Sequence, residues 1–336
     1  MTENFWTENS CIVVGAGISG LLAATELQNS GWQVTVLDKG RGVGGRMATR
    51  RVGGAPCDSG AQFFTVRAER FEKLVEGWIH NKAAAEWSRG FPNADGEGGN
   101  DGHPRYRGSQ GMTSIPKYLA QNLDVRTGEK VVEIRHDSEG WEVTCESDLA
   151  VNGSVLVMTA PPPQALELVQ SGNYELDKDL RTTLESITYD PCLAVMAILD
   201  GPTGVPEPGA VQIKGETLDL IADNKQKGIS TEPAITIHGG PNWSREHYDE
   251  SEEQVTSKLL SLASSQLDTD LSSKIQETSL HRWRYSWVTE SHPDPYLAAE
   301  DGPRLVFCGD GFGQPKVEGA ALSGLATADY LLGRET

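Results

Sequence analysis

The segment from Cys11 to Asp38 constrains the fold more than any other part of the chain. An apolar run over residues 11–14 leads into the glycine-rich turn GAGISG, and a segment with the apolar spacing of a helix follows until Gly31. A second apolar run, residues 34–37, ends on Asp38. This order of strand, glycine turn, helix, strand and acid is typical of a βαβ unit that binds a dinucleotide. The segment therefore predicts a Rossmann-like nucleotide-binding domain in an α/β protein.

The residue types in this unit have separate physical tasks. Gly15 allows the tight turn, Gly17 lets a diphosphate approach the backbone, and Gly20 lets the helix pack closely on the strand. The start of the helix offers unpaired N–H groups and the positive end of a dipole to the diphosphate. Asp38 can accept hydrogen bonds from a ribose diol, and its charge disfavours the 2′-phosphate of NADP. The predicted contacts are Gly15, Ala16, Gly17, Ile18, Ser19, Gly20 and Asp38.

Length and charge limit the classes of function. A chain of 336 residues is long enough for about two domains. Its formal charge of −19 argues against non-specific binding to nucleic acids and against anionic membrane surfaces. No run of about 18 apolar residues appears, so no transmembrane helix is expected, and the N-terminus lacks the pattern of a secretory signal. The five scattered cysteines favour a reducing cytoplasm, and Cys57 is interpreted as a packing thiol rather than a covalent flavin attachment point.

The hydrophobic pattern predicts two domains, one of them discontinuous. Helices are predicted over residues 67–90, 114–123, 251–267 and 318–332, and strands over 130–136, 140–145, 155–158, 192–199, 234–238 and 305–308. A hairpin turn is expected at residues 137–139, whereas loop 91–104 and segment 200–233 carry no motif. We predict a dinucleotide-binding domain over residues 9–66, 104–165 and 297–334 and an inserted α+β substrate domain over residues 67–103 and 166–296.

Three further segments favour FAD over NAD as the tightly held cofactor. A second glycine loop offers arginine to phosphate oxygens, DSGAQFF offers backbone and an amide to a flat ring, and CGD followed by a helix start offers an acid and a positive dipole. A solvated basic loop, a core strand and a packing helix are the structural alternatives. The candidate residues are Lys39, Arg41, Gly45, Arg46, Met47, Gly60, Ala61, Gln62, Phe63, Gly309, Asp310, Val317, Glu318, Gly319 and Ala320.

These motifs together resemble the renalase family, within the wider monoamine-oxidase-like flavoproteins. The matching stretches are GAGISG, DKGRGVGGRMATR, DSGAQFFT, SQGMTSIPKYL, ITIHGG, HRWRYSWV and CGDGFGQPKVEGAALSGLATADYLL. The resemblance implies a two-domain fold like that of p-hydroxybenzoate hydroxylase with non-covalent FAD. It also implies that Ser19, Arg46, Ala61 and Gln62 touch FAD, and that Val131, Ala160 and Pro161 lie near its nucleotide. The implied activity is oxidation of misreduced dihydronicotinamide dinucleotides, such as 2-dihydro- and 6-dihydro-NAD(P), by O2 to give NAD(P)+ and hydrogen peroxide.

Such a reaction needs no acid or base from the protein, because loss of hydride to flavin N5 leaves an aromatic ring. The protein must only hold the donor carbon close to the acceptor. The residues predicted to bind the substrate are His238, Trp283, Gln62, Phe63 and Tyr285. Structural roles in the core compete with each of these assignments, and Arg105, Arg107, Arg282 and Arg284 are weaker candidates for a substrate phosphate. No metal site is predicted.

Two other classes of function remain open at this point. The chain could be an amine oxidase, or less readily a desaturase, of the same superfamily. It could instead be a flavin-binding redox-sensing protein with little turnover. A small-molecule dinucleotide is the expected partner, and the sequence does not predict the oligomeric state.

Overall fold

Strands and helices alternate as predicted near both ends of the chain. The strands are β1 Ser10–Val14, β2 Gln33–Asp38, β3 Thr49–Val52, β4 Ala55–Asp58, β5 Ala84–Ser88, β6 Arg105–Gly108, β7 Asp124–Thr127, β8 Val131–His136, β9 Trp141–Cys145, β10 Ala150–Gly153, β11 Val155–Met158, β12 Thr188–Leu199, β13 Ala210–Gln212, β14 Leu218–Asp223, β15 Ala234–Gly239, β16 Ile275–Glu290, β17 Leu297–Ala299 and β18 Arg304–Phe307. The helices are α1 Ile18–Asn29, α2 Glu69–His80, α3 Ser114–Leu119, α4 Pro162–Ser171, α5 Lys178–Ser186, α6 Pro241–Glu246, α7 Glu252–Gln266 and α8 Lys316–Leu331.

The computed structural model describes residues 9–93, 95, 99–137, 140–172, 174–299 and 302–334. Contacts between residues divide the chain into two units. Unit 1 comprises Met1–Gly45, Pro116–Thr188 and Val288–Thr336, and unit 2 comprises Arg46–Ile115 and Tyr189–Trp287. None of the helices in the described ranges combines the length and apolar character needed to cross a bilayer.

Unit 1 is built on a mostly parallel sheet with the order β17-β18-β11-β1-β2-β7. β1 lies between β2 and β11 and pairs with both in parallel, so that Val13 opposes Val36 on one side and Val157 on the other. Every residue of β1 and β11 is buried, which is the continuous apolar pattern expected of a parallel sheet covered on both faces. A separate antiparallel sheet, β10-β9-β8, belongs to the same unit.

Helices α1 and α8 of unit 1 pack with almost no space between their backbones. A Cβ added to Gly324 would lie 2.1 Å from the carbonyl oxygen of Ser19, and a Cβ on Gly20 would lie 2.2 Å from that of Gly15. Leu21, Ala24 and Leu27 of α1 and Ala328 and Leu331 of α8 join the strands in one hydrophobic cluster. The alanine- and glycine-rich sequences of these helices are therefore a requirement of packing.

Unit 2 is centred on the antiparallel sheet β13-β14-β15-β12-β16. Helix α7 covers one face of it, with Val255, Leu259 and Ala263 packed among apolar residues of the strands. The helix begins with a capping box, in which the Ser251 side chain accepts from the backbone of Gln254 and the Gln254 side chain accepts from the backbone of Ser251. The hairpins β3–β4 and β5–β6 complete the unit.

The predicted helix over residues 67–90 is wrong in its second half. α2 ends at His80, and residues 84–88 form β5, which pairs with β6. Lys82 between them has φ = 58°, a left-handed conformation that cannot continue a helix. The spacing of Phe71, Val75 and Trp78 identified the buried face correctly, but beyond it the pairing with β6 decided the structure. The predicted helix 114–123 likewise ends as α3 at Leu119 and continues as a 3₁₀ turn over Ala120–Asn122.

The division into units differs from the predicted domain boundaries at four places. Residues 46–66 and 104–115 lie in unit 2, and residues 166–188 and 288–296 lie in unit 1. The β3–β4 hairpin belongs to unit 2 because Val52 and Cys57 pack against Met196 and Ile198. After α4, the backbone of Gly172 lies against β8 so closely that a Cβ there would be 1.6 Å from the carbonyl oxygen of Ile134.

Most other predicted elements are present within a few residues of their predicted bounds. The predicted turn at residues 137–139 includes residues 138 and 139, and loop 91–104 includes residues 94 and 96–98, which lie outside the described residues. Segment 200–233, for which the sequence indicated no motif, forms β13, β14 and a turn over residues 223–228.

The contact between α1 and α8 leads to a stability prediction. Replacing Gly324 with Ala should lower the free energy of unfolding by about 1–3 kcal/mol, because the new methyl group meets backbone atoms that cannot move away easily. Gly77→Ala in α2 is the matched control, since nothing lies within 4 Å of its Cβ position and alanine favours a helix. Urea unfolding of both variants is the measurement. Equal stability of the two variants would contradict the close packing.

Candidate functional site

The glycine turn after β1 leaves the backbone of Gly17 open to a ligand. Gly15 has φ = 114° and its N–H donates to Leu37 O at 2.8 Å, which closes the turn. Nothing lies within 4 Å of a Cβ position on Gly17, the N-cap residue of α1. The N–H groups of the first helical turn have no acceptor within the helix. A backbone cradle at a helix N-terminus therefore exists where the sequence predicted it, and it fits a dinucleotide.

Asp38 ties this turn to the loop that follows β2. Its Oδ2 accepts from the N–H of Ala16 at 2.6 Å, and its Oδ1 accepts from the N–H of Gly40 at 2.6 Å. A carboxylate has about four acceptor positions, so each oxygen keeps capacity for a ribose hydroxyl. The half-buried Asp38 thus shapes the cradle and remains able to bind in it.

The second glycine loop returns to the first. The N–H of Gly44 donates to Ala16 O at 2.8 Å, and a Cβ on Gly45 would lie 3.8 Å from the Cα of Gly17. Both glycines have positive φ, 117° and 53°, which other residues adopt with strain. The structure therefore brings Gly45 to the diphosphate cradle, while the side chains of Lys39 and Arg41 are exposed at the loop surface.

The remaining candidates of unit 1 follow the carboxyl ends of strands next to β1. Ala160 and Pro161 come after β11, and Gly309 and Asp310 come after β18, so both segments lie at the same edge of the sheet as the glycine turn. This edge is where ligands bind in open parallel sheets. α8 begins at Lys316, which puts the other predicted contacts in its first two turns, namely Val317, Glu318, Gly319 and Ala320.

Two other predicted contacts in unit 1 need a closer description. The hydroxyl of Ser19 points into the protein and lies 3.3 Å from Cys308 Sγ, so only the backbone of Ser19 can face a ligand. Val131 is buried at the start of β8. The two residues before Lys130 bond to the Asp38 loop, with Gly128 N donating to Gly40 O and Glu129 N donating to Asp38 O.

Unit 2 contains a fully buried ion pair between Asp58 and Lys227. Lys227 Nζ lies 2.6 Å from Asp58 Oδ2, and both side chains have no exposed surface. Asp58 Oδ1 accepts from Thr49 Oγ1 at 2.6 Å and from the N–H of Met112 at 2.8 Å. Burial lowers the pKa of Lys227, and the negative charge of Asp58 counteracts this effect. The pair joins β4 to the turn between β14 and β15.

Gln62 belongs to this polar network. Its Oε1 accepts from Lys227 Nζ at 3.1 Å, and its Nε2 donates to the carbonyls of Asp58 and Gly60 at 2.6 and 3.1 Å. The side chain is buried, with 4% of its surface exposed. The predicted flavin or substrate contact through this amide thus competes with three hydrogen bonds that the protein already provides.

The segment around Gly60 is held by Arg46 and Trp283. A Cβ on Gly60 would lie 2.1 Å from Arg46 O and 3.3 Å from Trp283 Cζ2, and the N–H of Ala61 donates to Arg46 O at 2.9 Å. Phe63 lies next to Phe91, with ring centroids 5.2 Å apart. The predicted residues Met47, Gly60, Ala61 and Phe63 are therefore positioned together in unit 2, with Met47 buried.

The guanidinium of Arg46 has partners in unit 2. Its Nη1 donates to Tyr285 O at 3.3 Å, and the group lies 5.7 Å from the ring centroid of Tyr189. Tyr189 in turn packs edge-on against Tyr285. These contacts orient Arg46 and Tyr285 relative to each other, and the phosphate role predicted for Arg46 stays a prediction.

His238 and Trp283 converge on one backbone carbonyl. Trp283 Nε1 donates to Ser59 O at 2.8 Å, and His238 also hydrogen-bonds the backbone of Ser59. His238 is 7% exposed, and its Nε2 has no partner among the described residues. The bond to Ser59 is therefore made by Nδ1, which makes Nε2 of the neutral ring an acceptor.

Burial, with a smaller contribution from the positive charge of Lys227, lowers the pKa of His238 from 6.5 to about 4. His238 is thus uncharged near neutral pH. Burial and the charge of Arg50 likewise lower the pKa of His281 to about 4. The ring of His281 packs edge-on against Trp283, with centroids 4.1 Å apart, which helps fix the indole.

The remaining arginines of β16 have structural partners. Arg282 donates to the carbonyls of Tyr248 and Glu250 at 3.1 and 2.6 Å, and Arg284 lies over the ring of Tyr248. Cys57 is fully buried, and burial raises its pKa to about 12, which fits the predicted packing thiol. All five cysteines are free and buried.

Sequence reasoning missed Lys227. It lies in the turn at residues 223–228, and the polar run DNKQKG predicts that its charge is exposed to solvent like its neighbours'. Asp223 organises this turn by accepting from the N–H groups of Lys225 and Gln226. An Asp followed by a terminal glycine is a local signal for a turn, but no local signal shows that the lysine is buried against a carboxylate 169 positions earlier.

Two family profiles match consecutive parts of the chain. Residues 13–78 match an NAD(P)-binding Rossmann-like domain. Residues 92–332, which include most of the substrate-side residues described above, match the flavin-containing amine oxidoreductases. The matches confirm the predicted nucleotide-binding segment and the superfamily.

Individual proteins differ in how much of the chain they match. A renalase from Mus musculus is 27% identical over 95% of this chain and 98% of its own length. Polyamine oxidase 4 from Oryza sativa subsp. japonica is 48% identical, but over only 16% of this chain and 11% of its own length. A solved putrescine oxidase shares the fold, with a TM-score of 0.69 and 15% identity over 98% of this chain and 100% of its own.

The buried ion pair leads to a second prediction. Lys227→Met should lower the free energy of unfolding by about 3–5 kcal/mol, because it leaves the Asp58 carboxylate buried without its partner. Lys130→Met is the control, since Lys130 forms an exposed pair with Glu146 whose loss should cost no more than about 1 kcal/mol. Denaturant unfolding of both variants is the measurement, and a similar small loss in both would show that the pair contributes little.

The lowered pKa of His238 leads to a prediction about pH. The unfolded chain takes up a proton at this histidine below pH 6.5, whereas the folded protein does so only near pH 4. Stability should therefore fall as pH decreases through this interval, by on the order of 3 kcal/mol from this residue. His238→Asn, which can keep the bond to Ser59, should flatten this part of the pH profile relative to the exposed control His80→Asn. Identical profiles for the two variants would contradict a buried neutral His238.

Proposed function

The chain belongs to the family of flavin-containing amine oxidoreductases, and we propose that within this family it is an FAD-dependent oxidase of misreduced dihydronicotinamide dinucleotides. The proposed substrates are 2-dihydro- and 6-dihydro-NAD(P), with O2 as acceptor and NAD(P)+ and hydrogen peroxide as products. The observation that carries the proposal is the extent of similarity to a renalase, which spans nearly the whole of both chains. Similarity to the polyamine oxidase is confined to a short segment.

The flavin cofactor follows from the family, and we propose that it is non-covalent FAD. In unit 1 the glycine turn, Asp38 and Gly45 would hold the diphosphate and ribose, with the segments after β11 and β18 beside them. In unit 2 we propose contacts from Arg46, Met47 and the Gly60–Phe63 segment. When bound, FAD supplies a two-electron acceptor for hydride that dioxygen can reoxidise. No described cysteine offers an exposed thiol for covalent attachment, which supports reversible binding.

The residues of unit 2 suit the neutral, planar, amide-bearing ring of a dihydronicotinamide. Nε2 of His238 is a buried acceptor without a partner among the described residues, and we propose that it accepts from the N–H of a nicotinamide carboxamide. Trp283, held by Ser59 and His281, offers a flat surface on which a ring can stack. Phe63 and Tyr285 are proposed as further lining residues.

The proposed reaction requires no proton transfer from these residues. Loss of hydride from a dihydronicotinamide leaves an aromatic product, so the task of the protein is to orient the donor carbon and to exclude other geometries. The buried charges fit that task, because Lys227 and Asp58 neutralise each other and His238 stays neutral. The five buried free cysteines support the expected location in a reducing compartment such as the cytoplasm.

Anaerobic mixing of the flavin-loaded protein with candidate donors tests the proposal. We expect 2-dihydro- or 6-dihydro-NAD(P) to bleach the flavin absorption rapidly after mixing. Authentic 4-dihydro-NADH should bleach it far more slowly. Admitting air should restore the colour and release hydrogen peroxide in proportion to the donor consumed. Putrescine and other amines serve as competing donors.

Other outcomes of the mixing experiment would favour other functions. Bleaching by amines and not by dihydronicotinamide isomers would establish an amine oxidase. An absence of bleaching with every donor would favour a flavin-binding redox protein with little turnover. Equal rates with the 4-dihydro isomer would show that the site does not select misreduced rings.

A further inference from the structure

Arg107 lies on the face of β6 opposite to its aromatic neighbour. Tyr106 stacks on Phe64 with ring centroids 5.7 Å apart, and successive side chains of a strand point to opposite faces. Arg107 accordingly extends to the other side, where a Cβ on Gly228 would lie 3.0 Å from its Nη2. Gly228 directly follows the buried Lys227, so the guanidinium lies beside the turn that carries the lysine.

The guanidinium of Arg107 is only partly used by the protein. Its Nη1 donates to the carbonyls of Gly108 and Ser109 at 2.9 and 2.8 Å. Its Nε is buried and has no hydrogen-bond partner among the described residues. Within the same residues no carboxylate forms an ion pair with Arg107, in contrast to Arg105 two positions earlier, which pairs with Asp101. The arginine is half-buried, so a ligand can still reach it.

Positive charge exceeds negative charge among Arg107, Lys227 and Asp58. Asp58 is paired with Lys227, yet it is also the carboxylate whose charge acts on Arg107. The charges of two cations, the fully buried Lys227 and the half-buried Arg107, thus act on one buried anion. Burial lowers the pKa of the Arg107 guanidinium, but an arginine remains charged in proteins. An unpaired charge in such a place is costly, and a bound anion would compensate it.

We propose that Arg107 binds phosphate oxygens of the dinucleotide substrate, an inference that rests on the proposed function. The planar guanidinium matches the geometry of a phosphate. The ligand is expected to need such help, because a chain with a formal charge of −19 repels an anionic dinucleotide at long range. Lys227 also acts electrostatically on His238, so the anion site and the proposed carboxamide acceptor lie within reach of the same charge.

The test compares two substrates that differ in phosphate. Arg107→Gln should raise KM for a 6-dihydronicotinamide dinucleotide about tenfold or more, since a hydrogen bond to a charged group is lost. It should leave KM for 6-dihydronicotinamide riboside, which has no phosphate, and kcat for both substrates nearly unchanged. Arg105→Gln is the matched control and should change neither KM. Arg107→Lys should recover part of the affinity for the dinucleotide alone.

A purely structural role predicts another pattern. Equal losses with dinucleotide and riboside in Arg107→Gln, or an unchanged KM for the dinucleotide, would overturn the inference. Should Arg107→Gln fail to fold, the Arg107→Lys variant and the salt dependence of the wild-type protein distinguish phosphate binding from a structural role. KM for the dinucleotide should rise with ionic strength while KM for the riboside stays constant, and identical salt dependence would overturn the inference.

Binding of inorganic pyrophosphate to the flavin-loaded protein separates this inference from the proposed function. Pyrophosphate should raise the melting temperature of the wild type and of Arg105→Gln, and it should do so less for Arg107→Gln. This result would hold even if no dihydronicotinamide isomer were oxidised, in which case the proposed function fails and the anion site remains. Equal shifts in all three proteins would overturn the site regardless of the activity.

Discussion

A buried ion pair between Asp58 and Lys227 organises the unit that carries the proposed substrate residues. Asp58 terminates β4 and receives hydrogen bonds from Thr49 and Met112, and Lys227 links it to Gln62. Each charge is stable in the interior only because the other is present. The charges of the pair also act on their neighbours: Lys227 adds to the effect of burial, which lowers the pKa of His238, and Asp58 raises the pKa of Arg107. Shape and electrostatics of unit 2 therefore derive from the same contact.

Unit 1 depends on a different constraint, the close approach of neighbouring segments to backbone that carries no side chain. Gly15, Gly20 and Gly324 each occupy a position where a Cβ would lie little more than 2 Å from another atom. The glycine turn and the segments after β11 and β18 lie at one edge of the resulting sheet, and nothing lies within 4 Å of a Cβ position on Gly17. Backbone N–H groups and a helix dipole are the means of binding proposed for unit 1, whereas the proposed substrate contacts of unit 2 are side chains.

The parts of the fold that sequence predicted well are those whose cause is local. The βαβ unit, the strands with continuous apolar runs and the long helices α7 and α8 follow from spacing and capping within a short window. The second half of the helix predicted over residues 67–90 failed because β5 is stabilised by its pairing with β6, about twenty residues further on. The predicted domain boundaries differ for the same reason, since packing of Cys57 and Gly172 depends on residues distant in the chain.

The sequence by itself determined the nucleotide-binding segment, the second glycine loop, the position of His238 and Trp283, and the superfamily, because each is carried by contiguous residues with a fixed spacing. Only the tertiary structure decided that Lys227 is buried against Asp58 and that Gln62 is engaged in that network. It also decided that His238 is neutral and that, among the described residues, its Nε2 has no hydrogen-bond partner and Arg107 forms no ion pair with a carboxylate. The physical reason is that protonation state and hydrogen-bond capacity depend on burial and on neighbouring charges. Those are set by contacts between residues far apart in sequence, and no local pattern encodes them.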